Sequence, residues 1–86
     1  MTTALMWEAR AAEGRGPELL AWARAQPLTP SPARRDTYTA PGDRVLVITH
    51  WEAADGGAPP PELPDPPPGL IARPVHRWHF TQVQGP

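Results

Sequence analysis

The chain has 86 residues, 14 of them proline and none cysteine, with a formal net charge of −1. A chain this short makes one domain with a small core, which no disulfide or thiolate-held metal can reinforce. A charge near zero gives no general attraction to nucleic acid or an anionic membrane, and no run approaches the ~18 apolar residues of a membrane span.

All eight basic residues are Arg, and neither Lys nor Asn occurs. With the Ala and Pro richness this points to a GC-rich bacterial genome, which concerns origin and not function. The N-terminus has no basic segment, and Glu8 breaks its apolar run, so a cytoplasmic protein is expected.

Thr3 to Ala12 reads as a first strand. Alternation puts Leu5, Trp7 and Ala9 on one face and Ala4, Met6, Glu8 and Arg10 on the other. Glu8 reads as a carboxylate paired with a neighbouring Arg, with a catalytic acid as the sharper alternative. Glu13-Gly14-Arg15-Gly16 is a turn. Pro17 suits the first helical position, Glu18 suits the positive end of the helix, and Pro27 stops it about three turns later. Leu19, Trp22, Ala23 and Gln26 recur at helical spacing, with Leu20 beside them. Trp22 on that face is either core or a platform for a ligand.

Leu28 to Pro32 is a rigid connector. Ala33 to Ala40 is a weaker strand whose Arg34, Arg35 and Asp36 suit an exposed edge. The turn Pro41-Gly42-Asp43 joins it as a hairpin to the most committed segment, Arg44 to Glu52. There Val45, Val47, Thr49 and Trp51 share one face and Leu46, Ile48, His50 and Glu52 the other. Val45 to Ile48 is apolar on both faces, so this strand is expected to be buried twice, by the chain's own helix and by a second copy.

Residues 56–69 form a Pro-rich loop that cannot hold a regular helix, since proline lacks the amide donor and clashes with the preceding turn. A polyproline-like excursion is expected, with room for one helical turn near Glu62. It reads as a stiff loop, or else as a docking ligand for an aromatic groove. Val75 to Val83 is the last strand, with His76, Trp78, Phe80 and Gln82 on one face and Val75, Arg77, His79, Thr81 and Val83 on the other.

The order strand, helix, strand, strand, short or broken helix, strand is the ferredoxin-like β-α-β-β-α-β pattern, an α+β fold with a four-stranded antiparallel sheet in a single domain, 1–86. On that order, and on Ala4 to Arg10, Gly16-Pro17-Glu18-Leu19-Leu20 and Val45 to Glu52, the chain resembles the dimeric α+β barrel superfamily. In particular it resembles the small proteins grouped with antibiotic biosynthesis monooxygenases, in which a Trp ends the third strand, as Trp51 does. The resemblance implies a homodimer that oxygenates an aromatic or polyketide-like metabolite without a bound cofactor. Trp51 would line the pocket or take part in oxidation, with His50 or His76 moving protons. Related catalytic groups look like they use an Asn and a second-helix His as well; this chain has no Asn, and no His between Glu52 and Val75.

Trp7, Trp22, Trp78 and Phe80 are expected to line a small-molecule site beside Trp51, or to fill a small core. The rival reading is a non-catalytic ligand-binding or accessory protein of the same fold. A third is a metal-binding protein using His50, His76 or His79, with Glu8 or Glu52. His76 and His79, three apart on a strand, point to opposite faces and cannot share an ion. The only Ser, Ser31, sits between prolines, so nucleophilic catalysis is not expected. Neither a nucleic-acid nor a membrane partner is expected.

Overall fold

A computed structural model describes residues 2–52 and 59–85. Among them are β1 (Thr2–Arg10), α1 (Gly16–Ala25), β2 (Arg34–Ala40), β3 (Arg44–Glu52) and β4 (His76–Thr81), with a single 3-10 turn at Pro68–Leu70. The strands form one sheet in the order β2-β3-β1-β4, every neighbouring pair antiparallel. This is an α+β architecture compatible with the ferredoxin-like plan. Residues 56–58 of the expected Pro-rich loop lie outside the described residues.

The expected first strand ends two residues early: β1 stops at Arg10, and Ala11 makes only an isolated bridge to Ile71. The last strand is shorter at both ends than Val75 to Val83. Pro74 cannot donate to a ladder, which sets its start.

Alternation decides the core. Leu5, Trp7 and Ala9 of β1 and Val45, Val47, Thr49 and Trp51 of β3 are buried on the face that carries α1. Leu19 and Ala23 of α1 meet them there, and Trp22 stacks on Trp7 with ring centroids 6.0 Å apart. Fully burying a side chain such as Leu19 contributes roughly 1.5–3 kcal/mol.

Two polar ties seat the helix. At its C-terminus Arg35 of β2 donates to the carbonyl oxygens of Gln26 at 2.7 Å and Ala23 at 2.6 Å, and Ala23 O also accepts from the Gln26 amide at 3.3 Å. At its N-terminus the β2–β3 turn approaches closely. Gly42 and Asp43 both take positive φ, at 84° and 57°. The Asp43 carboxylate faces the Gly14 amide, and a Cβ on Gly16 would lie 2.6 Å from Asp43 Oδ1. A side chain at position 16 would push the Asp43 carboxylate aside.

The polyproline-like excursion forms, and the helical turn for which the sequence leaves room near Glu62 does not. Residues 59–67 run without helix or strand. Pro60 and Pro61 are half-buried and Leu63 and Pro66 are buried, while Glu62, Pro64, Asp65 and Pro67 are exposed. The fully buried Leu63 and Pro66 stand three apart, the period of polyproline II, and Pro67 has φ −52° and ψ 136°. The segment lies on the α1 side of the sheet, because Arg77 and His79 of β4, which face that side, hold it. Arg77 donates to Leu63 O at 2.6 Å and to Asp65 Oδ1 at 2.7 Å, and His79 Nε2 lies 3.1 Å from Glu62 Oε1. An extended proline segment thus occupies the slot beside α1 that a second helix would fill.

Candidate functional site

The sheet separates the expected site residues into two groups. Trp7, Trp22 and Trp51 lie on the α1 side. Trp51 is 7% exposed, and its indole Nε1 donates to Thr49 Oγ1 at 2.9 Å. The Trp7 indole nitrogen is buried with no hydrogen-bond partner among the described residues. His50, His76, Trp78 and Phe80 lie on the opposite face, which we call the open face. Trp51 therefore does not converge with His50 or His76, and the aromatic set expected around one ligand is divided by the thickness of a sheet.

On the open face the register places residues in cross-strand rows. The middle row is Asp36, Ile48, Met6 and Trp78. To one side come Tyr38, Leu46, Glu8 and His76, then Arg44 and Arg10. To the other come Arg34, His50, Ala4 and Phe80, then Glu52 and Thr2. Tyr38 is 48% exposed, Trp78 54% and Phe80 53%; Met6, Leu46 and Ile48 are half-buried. No described segment covers this face, so the second burial expected for β3 is not made within the described part of the chain.

Polar groups sit at its margins. Glu8 accepts from Arg73 Nη2 at 2.5 Å and lies 3.8 Å from His76 Nδ1; its side chain is 16% exposed. This is the Arg-paired carboxylate expected for Glu8. His76 tilts against Trp78, with ring centroids 5.9 Å apart. Arg34 is paired with Asp36 at 2.7 Å.

The histidines do not gather. His79 faces the α1 side. His50 and His76 stand on β3 and β4, opposite positions of β1 four residues apart, roughly 13 Å along the strand at about 3.3 Å per residue. Among the described residues no group of three or more His, Asp or Glu could hold a metal ion.

Alternation along β1 correctly set Met6 and Arg10 opposite Trp7; sequence reasoning missed Tyr38 and Arg44 as open-face residues. Tyr38 could have been placed from the short Pro41-Gly42-Asp43 turn, which fixes the β2–β3 register. The Arg10–Arg44 pairing depends on the long-range β1–β3 register, for which no local signal exists.

No family model matches this chain, and neither a curated protein nor a solved structure matches it.

Proposed function

We propose that the chain is a homodimer of the dimeric α+β barrel type, its two open faces packed together, acting as a non-catalytic binding or accessory protein for a small aromatic or polyketide-like molecule. The observation that carries this reading is the aromatic open face. Half-exposed Tyr38, Trp78 and Phe80 lie with Met6, Leu46 and Ile48 on one continuous surface. Monomers seldom expose contiguous apolar patches of more than a few hundred Å². Four strands about 4.8 Å apart, six to nine residues long at about 3.3 Å each, present on the order of 500 Å² in projection with the polar margins included. Side-chain relief brings that toward the ~800 Å² per partner of a standard interface.

The non-catalytic reading is favoured over oxygenation by the division of Trp51 from His50 and His76. Cofactor-free oxygenation rests on Trp51 and the Trp7–Trp22 stack, which share the α1 side. Oxygen uptake with an added aromatic substrate, lost in Trp51→Phe, is its signature.

Light scattering coupled to size exclusion tests the proposal. The wild type is expected at twice 9.4 kDa, and Phe80→Glu and Trp78→Glu at the monomer mass. A monomeric wild type at high concentration would remove the dimer. Native mass spectrometry of protein from its own host then shows whether an aromatic compound travels with it.

A further inference from the structure

We infer that two copies stack with each β3 antiparallel over its counterpart, so that Arg44 of each copy meets Glu52 of the other. This rests on the homodimer proposed above and adds its orientation.

In the aligned class of face-to-face packing, sheets keep their strands within about 30° of one another. A closed two-fold pair then has its axis between the sheets, running either along the strands or across them. Charge distinguishes the two. Arg10 and Arg44 are direct cross-strand partners at one end of the open face, and Glu52 lies at the other end, opposite Thr2. With the axis along the strands, each end meets its own copy. Four arginines then crowd one end, and the two Glu52 carboxylates share the other. With the axis across the strands, the ends exchange and opposite charges meet. Because Arg44 and Glu52 both belong to β3, β3 over β3 brings them into line, while Met6, Ile48 and Trp78 meet their own copies at the axis, as does Asp36, whose charge is offset by Arg34 at 2.7 Å.

The arginine end is also unfinished within one copy. Like charges directly opposite each other across two strands are unfavourable. Among the described residues neither Arg10 nor Arg44 pairs with a carboxylate; Arg44 Nε donates to Pro41 O at 3.1 Å. Arg44 also lines a hollow of about 300 Å³ with Tyr38, Thr39, Ala40, Leu46 and the Arg73-paired Glu8. Glu52 is exposed, and its carboxylate accepts from Thr2 Oγ1 at 3.2 Å. A hollow with a carboxylate-free guanidinium at one end and an exposed carboxylate at the other are complementary across the axis.

Sedimentation velocity over a concentration series on the wild type, Arg44→Glu, Glu52→Arg and an equimolar mixture of the two variants tests the orientation. Each single variant sets like charges together at both ends and is expected to weaken self-association by at least about tenfold. The mixture is expected to form a heterodimer near wild-type strength, since opposite charges meet again at both ends. Single variants that associate as tightly as the wild type, or a mixture tighter than the wild type, overturn the orientation and leave the homodimer standing, because with the axis along the strands the wild type already sets like charges together and only the mixture relieves them. A wild type that stays monomeric removes both. Salt supplies a readout without substitution: added salt screens attraction and loosens the wild-type dimer in the inferred stacking, but screens repulsion and tightens it in the other.

Discussion

Arg77 on β4 donates through Nη1 to the carbonyl oxygen of Leu63 at 2.6 Å, and its Nη2 reaches Asp65 at 2.7 Å. One guanidinium thereby fixes a proline segment that has few amide donors of its own to secure it. Replacing Arg77 by Ala leaves the Leu63 carbonyl without this donor and should cost about 1–3 kcal/mol. Urea denaturation measures the loss. Hydrogen exchange should rise at Leu63 and Leu70 before it rises in β1 and β3. Uniform exchange across the chain would show that the tie is not local.

Leu63 is the apolar anchor of the same segment, 3% exposed within the core cluster. Leu63→Ala opens a cavity under the segment, with an expected cost of about 2–5 kcal/mol. Asp65→Ala touches only the exposed end of the Arg77 tie, where screening leaves about 0–1 kcal/mol. Thermal melts of the two variants should therefore differ clearly. Equal losses would mean that the segment is held by charge and not by burial.

The buried hydrogen bond from Trp51 to Thr49 predicts a coupling. Thr49→Val leaves the Trp51 indole donor unpaired inside the protein and should cost about 1–3 kcal/mol. In Trp51→Phe the donor is gone, so a further Thr49→Val change should cost much less. A double-mutant cycle measures the difference. Additive costs would place the Trp51 donor elsewhere in solution.

Arg15 and Glu18 form an exposed pair at the start of α1, 2.7 Å apart. The hydrogen bond from Arg15, and then its charge, hold the Glu18 carboxyl below the usual carboxylate range. Because the folded value is depressed, the pair's small contribution is present above the unfolded carboxylate range. It is lost as pH falls through the folded value. An NMR titration should find Glu18 low in the wild type and returned to the ordinary range in Arg15→Gln. The same substitution removes the 2.8 Å bond from Arg15 to Gly69 O.

Local pattern made much of this protein legible. The β-branched run Val45 to Thr49, the turn Pro41-Gly42-Asp43 and the helix opened by Pro17 and closed by Pro27 each carry their own conformational signal. Strand alternation correctly sorted Trp51 from His50 and His76 from His79, because side-chain direction within a strand needs no knowledge of the neighbours. The prolines of residues 59–68 excluded a regular second helix for the same local reason.

Only the tertiary structure decided what those faces meet. Within β3 the alternation already set Trp51 against His50. Gathering His76, Trp78 and Phe80 into the expected site, however, required knowing which face of β4 matches which face of β1. That is fixed by the pairing of Met6 with Ile48 and Trp78, between segments tens of residues apart. The same long-range register set Arg10 beside Arg44 and Arg77 over Leu63. Periodicity within a segment follows from backbone geometry and can be read locally. Register between segments follows from which packing buries the most apolar surface, a property of the whole chain at once.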